Sequence, residues 1–360
     1  MSEAVANTTA VVAKEKLLSG FFRKGIAIGL FSGVSYGIFT AFLALAMTKG
    51  VWSDWFGANK AGLSAFAVIY VLGALGCGVN DTCSAVWALI MAGIRGKLGD
   101  FFRTLNTKPG RMIMLAALMG GPIANSAYVI GLASAGSIIV PISALCPAIG
   151  AILGRILYKQ ALNKRMIFGI SICVFASALI GFSSISGGVQ KGAVVGIIAG
   201  FIAALGWGIE GCIAGYSTSM VDSEIGIAIR QTTSGLSNLI IFIPIIAILG
   251  HNGSLSFLLT GQAFTSGSAM IWFAVSGLCA YLSYMTWYKG ASMTGVALGM
   301  ATNGTYSFFG PLCCWIILGV GFGIKGWTLT PISWFCAVLM AIGILIISMN
   351  PLDLLKKREA

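Results

Sequence analysis

Apolar stretches long enough to cross a lipid bilayer follow one another along almost the whole chain. A membrane-spanning helix needs ~20 apolar residues, and ten stretches meet this length. They are residues 25–47, 63–93, 112–132, 136–157, 166–184, 191–216, 226–249, 269–288, 293–319 and 331–349. Only 9% of the residues are charged, against about 25% in a soluble domain. The sequence therefore predicts an all-α polytopic membrane protein with ten transmembrane helices.

The basic residues indicate how these helices are oriented. With ten crossings and the N-terminus inside, 18 of the 22 Lys and Arg residues lie on the cytoplasmic side, and only Lys49, Lys60, Lys191 and Lys325 lie outside. Cytoplasmic loops of membrane proteins carry such an excess. We therefore expect both termini in the cytoplasm and the chain in the cytoplasmic (inner) membrane. The anionic inner leaflet accounts for the net charge of +12 without a nucleic-acid partner.

The second half of the sequence repeats features of the first half. The stretch "GIAIGLFSG" at 25–33 recurs as "GAVVGIIAG" at 192–200, and "GLASAG" at 131–136 recurs as "GASMTG" at 290–295. Each half contains five predicted helices, an odd number, so the two halves run in opposite directions through the membrane. Inverted repeats around a polar site near the midplane are typical of transporters.

This repeat divides the chain into four parts. They are a cytoplasmic tail at 1–24, a first five-helix repeat at 25–185, a second, inverted repeat at 186–349, and a basic cytoplasmic tail at 350–360. Within the first tail, "KEKLLSGFFRK" at 14–24 has the pattern of an amphipathic segment on the membrane surface.

The stretch from 131 to 181 carries a family resemblance. It runs from "GLASAG" through Pro141 and Pro147 to a basic turn and a glycine-bearing helix. With the five-plus-five helices, it resembles the EamA-type transporters of the drug/metabolite transporter superfamily, and the likeness extends over nearly the whole chain. The resemblance implies two halves that rock around a central cavity to import or export metabolites. The greater length of this chain and its long second helix depart from the family pattern.

Two acidic side chains lie inside predicted helices. Asp81 is the only charged residue between Gly62 and Gly93, and Glu210 lies in the sixth helix. A charge at mid-bilayer costs on the order of 3 kcal/mol or more, so we expect both side chains to point into the bundle. Each could carry a proton, balance a cationic substrate, or be a structural group bonded to polar neighbours. Arg230 is placed to neutralise Glu210, either as an inner gate or as a static pair.

The second helix is too long for a straight crossing. Residues 63–93 would extend about 46 Å at 1.5 Å per residue, against a hydrocarbon core of ~30 Å. Gly73, Gly76 and Gly78 immediately precede Asp81. We therefore expect a tilt, a break or an additional half-helix at these glycines.

Uncharged polar and aromatic side chains within the helices are the candidate substrate contacts. Aromatic walls suit sugar rings, flat heterocycles or quaternary ammonium groups, although Tyr and Trp near helix ends also form interfacial belts. The repeated stretches at 131–136 and 290–295 lie 159 residues apart. The same offset makes Asn125 the counterpart of Tyr284. The candidates are Tyr36, Trp87, Asn125, Tyr128, Trp207, Tyr284, Asn303 and Tyr306.

The sequence predicts a secondary transporter and not an enzyme. There is no nucleotide-binding motif, so we expect proton coupling, with a small polar metabolite as substrate that is cationic, zwitterionic or neutral. The nine cysteines form no CxxC, and His251 is the only histidine, so we expect neither a metal nor a cofactor. The protein is expected to act as a monomer or homodimer in the bilayer. A channel or sensory membrane protein, or an intramembrane enzyme using Asp81, are the alternatives.

Overall fold

A computed structural model describes residues 2–58, 60–159, 164–186, 192–217, 220–251, 253–294 and 296–348. The structure is 88% helical, and no strand occurs among the described residues. The expectation of an all-α protein is confirmed.

Helices follow one another with short connections in both halves. In the first half they are α1 (Ser2–Ala46), α2 (Val51–Phe56), α3 (Leu72–Ile94), α4 (Leu98–Leu105), α5 (Lys108–Leu118), α6 (Ser126–Ala135), α7 (Ile139–Ser143), α8 (Cys146–Tyr158) and α9 (Lys164–Ser186). In the second half they are α10 (Ala193–Ser217), α11 (Ser223–Ser237), α12 (Ile243–Leu249), α13 (Leu255–Thr265), α14 (Gly267–Thr294), α15 (Val296–Gly304), α16 (Tyr306–Cys314) and α17 (Pro331–Ser348). Wider π-helical turns at Ala67–Val71, Met119–Asn125, Asn238–Phe242 and Trp315–Gly321 continue several of them.

Seven of the described helical segments are long and apolar enough to cross a membrane, which makes the chain a multi-pass integral membrane protein. They are Gly20–Ala46, Ala67–Ile94, Lys108–Ser143, Ala193–Ala214, Ser223–Leu249, Gly267–Thr294 and Gly299–Gly321, and a shorter apolar helix spans Pro331–Ile347. Helical residues occur in each of the ten predicted stretches. The count of ten crossings stays a prediction.

Helices of one half pack mainly on helices of the other. The first long helix, α1, packs along α14 and against α15 and α16, while α10 packs on α5 and α6 and against α7 and α8. Across the bundle α3 packs on α11, and α9 packs on α17.

Glycines lie at several of these helix contacts. A Cβ atom at Gly290 would lie 3.2 Å from the Cα of Gly29, and one at Gly131 would lie 3.2 Å from the carbonyl oxygen of Gly196. Gly131 and Gly290 stand at equivalent positions of the sequence repeat, as do Gly29 and Gly196. Small residues let membrane helices approach in this way, so the glycine stripes of both halves serve the same kind of contact.

Of the tilt, break or additional half-helix expected at the glycines before Asp81, the break does not occur. The helix runs without interruption through Gly73, Gly76 and Gly78, and its irregular turn lies earlier, at Ala67–Val71. The glycines are packing positions instead, because a Cβ at Gly73 would meet Ile130 and one at Gly78 would meet Leu239. The predicted surface segment at 14–24 likewise forms no separate element, since α1 is continuous from Ser2 to Ala46.

Candidate functional site

Asp81 lies at the centre of the bundle, on the face of α3 that meets α6 and α11. Its carboxylate accepts hydrogen bonds from Asn125 Nδ2 at 3.0 Å and from the hydroxyl of Ser234. The thiol of Cys77, one turn earlier, lies 3.7 Å from Oδ2. The side chain is only 1% exposed, and all three of these partners are neutral. Asp81 therefore holds a buried carboxylate whose hydrogen bonds are satisfied without an ion pair.

Asn125 joins this carboxylate to the second half of the chain. It ends the wide turn Met119–Asn125, and its amide nitrogen faces Asp81 while its amide oxygen faces two donors. Trp207 Nε1 donates to that oxygen at 2.8 Å, and the Tyr284 hydroxyl donates at 3.3 Å. Asn125 and its repeat counterpart Tyr284 thus meet where the two halves of the chain come together.

A buried ion pair lies beside this network. Arg230 donates from Nε to Glu210 Oε1 at 2.7 Å and from Nη2 to Oε2 at 3.0 Å, and both side chains are fully buried. The guanidinium also lies over the Tyr284 ring, 4.0 Å from its centroid. A bidentate pair of this kind fixes both side chains. With Asp81 ionised, these three groups carry one net negative charge.

Two glycines and a proline make room for these groups. A Cβ at Gly120 would overlap the carboxylate of Glu210, and one at Gly121 would overlap the hydroxyl of Ser234. Pro122 follows inside the same wide turn, where proline removes a backbone donor. The local sequence "GGP" therefore lets this segment approach α10 and α11 closely.

Five aromatic rings fill the space next to the polar network. Tyr36 stacks on Tyr306 with ring centroids 4.2 Å apart and meets Tyr128, Trp207 and Tyr284 edge-on at 5.8, 6.0 and 6.3 Å. All five are buried. The Tyr36 hydroxyl has no hydrogen-bond partner among the described residues. We call these five rings, with Asp81, Asn125 and Ser234, the central cluster.

Two predicted contacts do not join the central cluster. Asn303 is half-buried and donates to the Ser32 hydroxyl at 2.6 Å, at the contact between α1 and α15. Trp87 is half-buried and donates from Nε1 to the carbonyl oxygen of Ala274 at 3.0 Å. Both side chains therefore link neighbouring helices, because the rotation of each helix turns them away from Asp81.

Sequence reasoning missed Ser234 and a group of charges at one end of the bundle. Ser234 carries no signal in a sequence, since serine is common inside membrane helices. Arg95, just after α3, pairs with Glu224 in the first turn of α11, and Lys97 Nζ lies 3.0 Å from Asp222 and 3.2 Å from Glu224. These acids lie between the apolar stretches 191–216 and 226–249, where charged loop residues are common, yet they tie α3 to α11 at this end.

The described residues contain no group of three His, Cys, Asp or Glu side chains that could hold a metal ion. The central cluster combines aromatic rings, an amide, hydroxyls and a carboxylate that has no ion-pair partner among the described residues.

Comparisons with known proteins give two weak likenesses. No family model matches the chain. Over 233 residues, covering 64% of this chain and 73% of the relative, the sequence is 25% identical to protein LicB of Haemophilus influenzae. A solved crystal structure superposes with a TM-score of 0.52 at 15% identity, over 93% of this chain and 98% of the other. The structural likeness is evidence of a shared fold alone.

Proposed function

We propose that the protein is a secondary transporter that moves a small polar metabolite across the cytoplasmic membrane by alternating access. The observation that carries the proposal is Asp81, a buried carboxylate held only by neutral donors at the meeting point of the two halves. Acids at membrane depth usually serve a substrate or ion pathway. The aromatic rings around it offer a binding surface that a purely structural carboxylate does not need.

The packing supports an architecture of two inverted five-helix repeats. The first long helix of each half packs on the third and fourth predicted helices of the other half. Helix α1 packs on α14 to α16, and α10 packs on α5 to α8. Two repeats related by a two-fold axis, at 25–185 and 186–349, would pack on each other in this reciprocal way. It also fits the resemblance to the EamA-type transporters.

Orientation is a separate part of the proposal and has its own test. Both termini lie in the cytoplasm, since most Lys and Arg residues then face the inside. Reporter domains attached after Lys60, Lys108, Lys191 and Lys325 should lie outside, inside, outside and outside. An inside result at Lys191 would contradict the five-plus-five arrangement.

The charge of the site calls for one positive charge, which either the substrate or a proton could supply. Glu210 is neutralised by Arg230, whereas Asp81 has no cation in hydrogen-bond contact. One net negative charge in a low-dielectric site is balanced by a cationic substrate, or by a proton that accompanies a neutral or zwitterionic one. Tyr36 and Tyr306 stack on each other, so these rings would have to separate before the faces they share could meet a cation.

Glu210 and Arg230 act in this proposal as a gate beside the site. Their pair connects α10 to α11 and covers the face of Tyr284. Opening the site from one side would separate these helices, so the pair would have to break or move with them. Because both oxygens of Glu210 are engaged, this acid is a poorer proton carrier than Asp81. The same engagement disfavours an intramembrane enzyme in which Glu210 supplies a second catalytic group.

Ligand screening tests the proposal most broadly. Pools of small metabolites should include one that raises the thermal stability of the purified protein, because a ligand at 100 times its Kd stabilises by about 2.7 kcal/mol. The same compound should then exchange across the membrane of proteoliposomes containing the protein. Conversion of a lipid by the protein, with no exchange of any stabilising compound, would contradict a transport function.

A further inference from the structure

A pocket outside the central cluster lies at the charged end of α5. It has a volume of about 290 Å³ and is lined by Lys108, Arg111, Met112 and Leu115. This spacing places all four side chains on one face of the helix. Leu115 is 54% exposed, so the apolar half of the pocket lies on the outer surface of the bundle, where lipid surrounds a membrane protein.

The two cations of this pocket differ from their neighbours in having no acidic partner in the part of the chain that the structure describes. In the segment 95–111, Arg95 pairs with Glu224, Lys97 pairs with Asp222 and Glu224, and Arg103 pairs with Asp100. Lys108 and Arg111 pair with no carboxylate among the described residues. The Arg111 guanidinium donates only to a backbone carbonyl oxygen, that of Asn106, at 3.0 Å. An anion would therefore meet two cations whose charge is not already balanced.

The neighbouring helix indicates the depth of the pocket in the membrane. The amphipathic helix α4 connects α3 to α5, and its Leu98 and Phe102 side chains are exposed. Helices with such a face lie in the interface between head groups and acyl chains. The first turn of α5 follows directly, so Lys108 and Arg111 stand at head-group level and Leu115 stands deeper.

The inverted half of the chain offers an internal comparison. Under the 159-residue offset, Lys108 corresponds to Gly267 and Arg111 to Met270, at the start of α14. The first turn of that helix carries no basic side chain. The two cations are therefore not among the features that the two halves share.

We propose that this pocket binds an anionic glycerophospholipid. The phosphate lies between Lys108 and Arg111, and an acyl chain runs along Met112 and Leu115. Basic pockets on the surface of membrane proteins recognise anionic head groups in this way. The inference is independent of the proposed transport function.

The test measures how lipids stabilise the detergent-purified protein against heat. Phosphatidylglycerol, phosphatidylcholine and inorganic phosphate are titrated separately. The double variant Lys108→Gln/Arg111→Gln is compared with Arg103→Gln/Lys289→Gln, which removes two exposed positive charges elsewhere. Leu115→Ser probes the acyl contact without changing charge.

Phosphatidylglycerol should stabilise the unsubstituted protein at lower concentrations than phosphatidylcholine. Lys108→Gln/Arg111→Gln should raise the half-stabilising concentration roughly 30-fold, since each basic residue near a membrane surface is worth about a factor of five. Leu115→Ser should raise it as well, and the control double variant should leave it unchanged. Three results would overturn the proposal. They are an equal loss of phosphatidylglycerol affinity in both double variants, equal stabilisation by both lipids, and stabilisation by inorganic phosphate.

Discussion

Removing one charge from the buried Glu210–Arg230 pair should destabilise the protein strongly. Both side chains are fully buried and share two hydrogen bonds of 2.7 and 3.0 Å. Breaking a buried pair from one side costs about 3–5 kcal/mol, because the remaining charge is left uncompensated. In Glu210→Gln the guanidinium keeps its contact with the Tyr284 ring at 4.0 Å, so we expect a loss near the lower end, about 3 kcal/mol.

Removing both charges should restore much of that loss. Glu210→Gln/Arg230→Gln leaves two neutral side chains that can hydrogen-bond to each other, so neither charge of the pair is left buried without its partner. The double-mutant cycle should therefore give a coupling energy of about 2 kcal/mol or more. Arg103→Gln is the control, because its pair with Asp100 is largely exposed and such pairs contribute at most about 1 kcal/mol.

Unfolding of the purified proteins in detergent measures these differences on one scale. The order of stability should be the unsubstituted protein and Arg103→Gln first, then the double variant, and last Glu210→Gln. The reasoning would be refuted if Glu210→Gln cost no more than Arg103→Gln, or if the double variant were as unstable as the single one.

Two further predictions concern the helix contacts. Gly131→Val and Gly290→Val should lower the melting temperature by similar amounts, because each forces a side chain into an equivalent close contact and overpacking costs about 1–3 kcal/mol. Gly99→Ala, with open space around it, should change the melting temperature little. A loss confined to one of the two valine variants would contradict equivalent packing. Arg95→Glu should speed amide hydrogen exchange in the first turns of α11 by placing like charges together, and adding Glu224→Arg should restore the original rate. Fast exchange that persists in the double variant would show that these charges do not hold α3 to α11.

The sequence was sufficient for the helices because membrane helices are encoded locally. A long apolar stretch predicts a helix whatever its neighbours, and helical residues occur in all ten predicted stretches. The position of a buried acid is also local information, so Asp81 and Glu210 could be identified, as could Arg230 as a neighbour for Glu210.

The partners of these groups depend on helix rotation and on contacts between distant segments. Ser234 bonds to Asp81 across 153 positions of the chain, and nothing in its own neighbourhood distinguishes it from other serines. Asn303 was predicted as a substrate contact and donates to Ser32, since the rotation of a helix decides which neighbour a side chain meets. The glycines before Asp81 were interpreted as marking a tilt, a break or an additional half-helix, because a glycine used for packing and one used for bending look alike in a sequence.

The role of Asp81 is the central claim, and Asp81→Asn tests it most directly. The amide keeps the size of the side chain and can still bond to Ser234, but it cannot exchange a proton. In proteoliposomes with a pH gradient, and with a compound identified by thermal stabilisation, the variant should lose accumulation driven by the gradient. Exchange of the compound at equal pH should remain, and Asp100→Asn, which alters an exposed acid, should behave like the unsubstituted protein. Normal accumulation by Asp81→Asn with an unchanged pH profile would contradict the account and leave Asp81 a structural group.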